Sequence, residues 1–241
     1  VGVSAALLAP ACSLGQGSGS MDGWLDATDC WSGCFDLHPD FFAAIPTNSS
    51  ALQIRVQNGI DYETFSDGLF ILVDDSQAVR STMIDKPLAV SLPAAVTPPG
   101  VPVKPIANPA LVHATLYLNR SCRTQNVGLY AMDCSLAGGV DPPLCGDAGL
   151  DAALDASTIA DDAGAPASTA LSTMTFHSLF DGDVNESNAQ QRLTDADFDI
   201  YLANPREISA GGLGPPPPCR GHIKGRFRFY FQRGRPAQPF P

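Results

Sequence analysis

Along most of the chain apolar positions recur every second residue, the spacing that puts one face of an extended strand inside and the other in water. Leu52-Gln53-Ile54-Arg55-Val56-Gln57 alternates and stops at Asn58-Gly59, a tight-turn pair. Leu69 to Val73 is a short continuous apolar run that fits a buried strand, closed by Asp74-Asp75. Leu88 to Leu92 is another, before a Pro-rich connection from Pro93 to Pro109. Val112 to Leu118 and Val127 to Met132 give two more strands, and Thr173 to Phe176 begins a further one.

The last third is the most regular. From Thr194 to Leu202, Ala196, Phe198, Ile200 and Leu202 share one face, and Asp195, Asp197, Asp199 and Tyr201 the other. From Ile223 to Gln232, Ile223, Gly225, Phe227, Phe229 and Phe231 alternate with Lys224, Arg226, Arg228, Tyr230 and Gln232. One strand has an acidic outer face and the other a basic one. Antiparallel pairing would set opposite charges across the ladder, at about 0.2–1 kcal/mol per pair, so the two are expected to be neighbours. These elements predict an all-β, antiparallel β-sandwich-like domain over about residues 24–241.

Two stretches break the pattern. Residues 135–170 are almost entirely Ala, Asp, Gly, Ser and Pro without an aromatic, too little apolar surface to offset ordering entropy. They read as a flexible insertion, with one short helix over Leu150 to Ala156 and a loop closed by Cys134 and Cys145. Trp24, Trp31, Phe35, Phe41 and Phe42 show no sustained period and read as a core plug pinned by Cys30 and Cys34.

Composition narrows the class. The chain has 241 residues, 44% of them apolar, enough to bury a core. Its 22 Gly and 21 Pro suit turns better than helices. A formal net charge of -11 argues against a nucleic-acid partner, which needs an excess of Lys and Arg to neutralise phosphates.

Val1 to Ala11 is small or apolar and uncharged, and Cys12 follows, then a Gly/Ser-rich polar run. This resembles the end of a lipoprotein signal peptide, with Cys12 as the lipidated, palmitate-bearing mature N-terminus. Pro10 departs from the commonest form of that motif. Eleven residues fall short of the roughly 20 that span a bilayer. Residues 12–23 then form a flexible tether, and Ser13 after the cysteine implies, by analogy, sorting to the outer membrane. The remaining Cys30, Cys34, Cys122, Cys134, Cys145 and Cys219 are even in number, as up to three disulfides in an oxidising compartment would require. Their spacings match no zinc-ligand pair.

No nucleophile elbow, zinc-protease helix, phosphate loop or dinucleotide fingerprint is present. His38, His113, His177 and His222 are scattered, so a hydrolase would need a dispersed site. Asp181, Asp183, Asn185 and Glu186, with Asp195 in support, have the oxygen spacing that opens a calcium loop. An EF-hand is excluded because Glu186 stands where Gly is needed and Arg192 where Glu is needed. The competing reading is a polar turn. Asp67, Asp74 and Asp75 make a weaker acidic group. Arg220 to Arg235 holds six of 14 Lys and Arg among aromatics, which suits an acidic glycan or, alternatively, the pairing with the Asp strand.

The run from Gly225 to Phe240, with Arg192-Leu193-Thr194-Asp195 and Asp40-Phe41-Phe42, resembles uncharacterised envelope lipoproteins of the large myxobacterial type. The resemblance implies envelope localisation and carries no activity. The function expected is a non-catalytic envelope lipoprotein with a binding or structural role. A calcium-dependent glycan-binding module and a hydrolase are the alternatives.

Overall fold

A computed structural model describes residues 17–27, 30–47, 50–59, 66–93, 110–123, 128–136, 169–208 and 215–231. The body is all-β and antiparallel. In chain order its strands are β1 (Gly17–Ala27), β2 (Trp31–Leu37), β3 (Phe41–Pro46), β4 (Leu52–Asn58), β5 (Asp67–Val73), β6 (Pro87–Ala89), β7 (Val112–Leu118), β8 (Gly128–Ala131), β9 (Cys134–Ser135), β10 (Thr169–Ala170), β11 (Thr173–Ser178), β12 (Leu193–Ala203) and β13 (Gly221–Tyr230). The main sheet runs β2-β1-β13-β12-β8-β7-β5-β4-β3, with β11 beside β12 and β6 beside β11.

β12 is where the sheet divides. One edge pairs with β13 along its length, from Leu193↔Tyr230 to Leu202↔Gly221. The other edge pairs first with β11, at Asp195 to Asp199, and then with β8, at Leu202 and Ala203. Beyond that fork the sheet folds over on itself. Phe42, on the last strand of the order, stacks on Phe229 of β13 with ring centroids 5.6 Å apart. The enclosed faces supply one continuous core in which Met21, Phe35, Ile54, Ile71, Leu116, Phe176, Ile200 and Phe227 are at most 2% exposed. The alternation expected for β4, β7, β12 and β13 is what fills it.

Several expectations need correction. Residues 17–23 of the run read as tether are the first half of β1, paired with β13 from Gly17↔Phe229 onward, and the rest of that run lies outside the described residues. The small residues of β1 serve close packing: a Cβ on Gly17 would lie 2.7 Å from both Phe229 and Phe42. The early aromatics are no plug. Trp24 lies on β1, Trp31 and Phe35 on β2, and Phe41 and Phe42 on β3. The apolar run at Leu88 yields only the three-residue β6, after which Val90 bridges Val112.

One helix was not anticipated, α1 (Ser76–Thr82), capped by the Asp75 side chain accepting from the Ala78 N–H at 2.9 Å. At the insertion, β9 and β10 pair as a two-residue stem, Thr169↔Ser135 and Ala170↔Cys134. The helix expected over residues 150–156 lies outside the described residues. Cys134 is bonded to Cys219, with Cα atoms 5.0 Å apart, so the expected Cys134–Cys145 closure is wrong. Cys30 likewise bonds Cys122, Cα atoms 5.6 Å apart, and does not pin the aromatics together with Cys34.

Candidate functional site

The outer face of the β1-β13-β12-β11 half concentrates the polar side chains. Because β12 and β13 pair antiparallel in this register, Asp195 faces Arg228, Asp197 faces Arg226 and Asp199 faces Lys224. The predicted meeting of acidic and basic strands is therefore observed. Asp195 is its centre. Buried to 6% exposure, it accepts from Arg226 at 3.2 Å and lies 3.8 Å from Arg228. Arg226 also reaches Asp197 at 3.5 Å, and Lys224 reaches Asp199 at 3.1 Å. Across β13, β1 contributes Ser18, Ser20, Asp22 and Trp24 to the rows of Arg228, Arg226, Lys224 and His222. The basic residues are thus largely matched by acids of the same face, which weakens the acidic-glycan reading of the basic stretch.

Two histidines, His222 and His177, belong to this polar framework, and His113 lies apart from it on β7. His222, 2% exposed, meets Asp199 at 2.6 Å and stacks on Tyr201 with centroids 3.9 Å apart. Burial pushes the Asp199 carboxyl up, but the hydrogen bonds from His222 and Lys224 outweigh it and hold Asp199 below its ordinary range. His177 lies at the irregularity where β11 loses register with β12, between two carboxylates. Its Nδ1 is 2.7 Å from Asp85 and its Nε2 2.8 Å from Asp197. The hydrogen bond to Asp197, then that to Asp85, raises its pKa above the ordinary 6.5. His113, on β7, contacts Asp74 through Nε2 at 3.1 Å and the Ser91 carbonyl through Nδ1 at 2.8 Å. His38 makes only an exposed pair with Asp36.

For a hydrolase, one nitrogen of a histidine must face a nucleophile while the other is oriented by an acid. His113 and His177 have both nitrogens engaged by carboxylate or carbonyl oxygens, so neither is set up as such a base.

The calcium candidates form a chain of local turns. Asp181 accepts from the Asp183 N–H and Asp183 from the Asn185 N–H, each at 2.8 Å. Glu186 accepts from the Asn188 N–H. Asp195 points into the arginine ladder instead of joining them. Among the described residues no group of three or more His, Cys, Asp or Glu is placed to hold a metal. The weaker acidic group is likewise dispersed. Asp67 accepts from the N–H groups of Arg120 and Ser121, Asp74 meets His113, and Asp75 caps α1.

Of the cysteine candidates, Cys30, Cys122, Cys134 and Cys219 are joined in two pairs. Cys34, on β2, is also disulfide-bonded. Cys12 and Cys145 lie outside the described residues. Arg220, next to Cys219, holds Glu207 with two nitrogens at 2.6 and 3.1 Å and Asp26 with a third at 3.2 Å. That fork ties the start of β13 to the end of β1.

The histidine–carboxylate pairs escaped the sequence because they join residues far apart in the chain. The one signal was the strand register itself, which sets His222 diagonal to Asp199. Comparison of the chain with protein-family models, with curated proteins and with solved structures finds no match.

Proposed function

We propose that this is an exported envelope protein, anchored at the outer membrane by lipid on Cys12, whose sandwich has a binding or structural role and no chemistry of its own. The observation that carries the export is the pair of disulfides. They join cysteines 92 and 85 positions apart, and such crosslinks persist in oxidising compartments. The lipid rests on the apolar run before Cys12 and on the resemblance to myxobacterial-type lipoproteins. No helix of the described residues is long and apolar enough to cross a membrane. An extended, internally paired polar face suits contact with another envelope protein better than with an acidic polymer, because its cations already have carboxylate partners.

Intact mass of the precursor, with its native signal, made in a Gram-negative host and extracted from membranes, tests this reading. The expected species begins at Cys12 and is heavier by a diacylglycerol and an acyl chain. Reduction adds six hydrogens, two for each described crosslink and two for the bond made by Cys34. An unacylated chain with free thiols would overturn both the anchor and the compartment.

A further inference from the structure

The contact between Asp85, His177 and Asp197 is more than a surface pair. Two carboxylate oxygens, at 2.7 and 2.8 Å, address the two nitrogens of one imidazole. A carboxylate only accepts, so both contacts are hydrogen bonds only when both ring nitrogens carry protons. The neutral ring has one N–H and one lone pair, which would face an anion. The geometry therefore selects imidazolium.

The two acids come from different elements. Asp197 is on β12, flanked by the other strands. Asp85 lies in the turn between α1 and β6, in left-handed backbone at φ 60°, which is unfavourable for a residue other than glycine, though less so for Asp. Its own N–H donates to the Phe176 carbonyl at 2.8 Å, and the short β6 continues that contact along β11. Asp197 has a second cationic partner in Arg226 at 3.5 Å. The arm to Asp85, 70% exposed, is the one that water can replace at least cost.

We propose that Asp85, His177 and Asp197 form a pH-operated latch fastening the α1–β6 turn to the sheet, closed while both nitrogens of His177 are protonated and opened at the Asp85 arm when one proton leaves. The other charged groups around it are Lys86 in the turn, Arg80 in the last turn of α1, Asp195 on β12, and Arg226 and Arg228 on β13. Lys86 is turned to the Thr82 carbonyl, and Arg226 and Arg228 to Asp195. β6 and β11 carry no charged side chain apart from His177. Because the clamp raises the affinity of His177 for its proton, the contribution is complete below the ordinary histidine range and disappears as pH rises through the higher folded value.

The test is an NMR titration of the folded full chain from acid to mildly alkaline pH. It follows the His177 ring and the exchange of the Asp85 and Lys86 amides, corrected for intrinsic base catalysis. His177 should titrate above the ordinary value. Protection of the Asp85 amide should fall about two- to fivefold across the same interval, the scale of an exposed charged contact. Asp85→Asn should lower the His177 titration point, and His177→Arg, permanently charged, should abolish the pH dependence of protection. A His177 that titrates at or below the ordinary value overturns the proposal. So does Asp85 protection that stays unchanged through the His177 titration in the parent chain, or a His177 titration point that Asp85→Asn leaves where it was.

Discussion

β1 and β13 are paired to one another over nine positions, yet their sequences look nothing alike. β13, GHIKGRFRFY, declares itself by alternating Phe with Arg or Lys. β1 begins GSGSMDG, which on composition is a linker. Both face the same core, with Met21 and Leu25 on β1 and Phe227 and Phe229 on β13 all at most 2% exposed. The difference lies in where the volume comes from. β13 and β3 bring the large rings, and β1 brings the absences that let them in, so a Cβ on Gly19 would stand 3.2 Å from the Phe42 ring and 3.0 Å from the Arg226 carbonyl. Close packing is a property of the pair of strands, so a glycine-rich strand can be as fixed as an aromatic one.

The largest effect should come from the ring side. Phe227 is fully buried, with ring centroids 6.3 Å from both Phe198 and Phe229. Phe227→Ala should cost about 3–5 kcal/mol, as lost transfer energy plus the cavity left behind. Its neighbour on the opposite face, Arg226, is 57% exposed, and Arg226→Ala should cost about 1 kcal/mol or less. Denaturant midpoints at constant slope measure both. A larger cost for Arg226→Ala than for Phe227→Ala would mean that the inner and outer faces of β13 have been exchanged.

The next effect is on the glycine side, and it separates strand from tether. A Cβ on Gly23 would drive into the carbonyl of His222 across the β1–β13 ladder. Gly23→Ala should therefore cost about 1–3 kcal/mol as overpacking that β13 cannot relieve without losing pairs. In a flexible tether the same change would do nothing. A denaturation curve superimposable on the parent would return residues 17–23 to the linker.

How much could be read beforehand follows the same division. The strands over Leu52, Thr194 and Ile223 were visible because their apolar residues repeat at the period of the pleat, and the one over Leu69 because it is a short continuous apolar run. The ion-pair ladder was visible as well, since Asp195-x-Asp197-x-Asp199 and Lys224-x-Arg226-x-Arg228 carry complementary signs at the same spacing. β2 and β3 were missed because WSGCFDL and FFAAIP are too short and too mixed to show a period. The disulfide partners were beyond reach, because Cys30–Cys122 and Cys134–Cys219 depend on how the sheet folds over. The His177 clamp was hidden for the same reason: Asp85 is 92 positions away and sits in a turn that no pattern marks.

The smallest effect concerns the one segment where residue spacing suggested chemistry that the structure does not assemble. Asp181, Asp183, Asn185 and Glu186 have the spacing of a cation loop, but three of the side chains already accept a backbone N–H two residues on. That is how Asx turns stabilise a polar loop without an ion. An ion bound to the native state alone would stabilise the fold by about 1.4–2.7 kcal/mol at ten to a hundred times its dissociation constant. Extracellular calcium modules bind at roughly 0.1–1 mM, so about 10 mM calcium would reveal a site as a melting temperature several degrees higher. The expected result is no shift, and for Asp183→Ala, an exposed turn residue, a change within about 0.5 kcal/mol. A calcium-dependent rise in melting temperature that Asp183→Ala removes would mean that these turns open to take an ion, and would restore the calcium-dependent glycan-binding reading to first place.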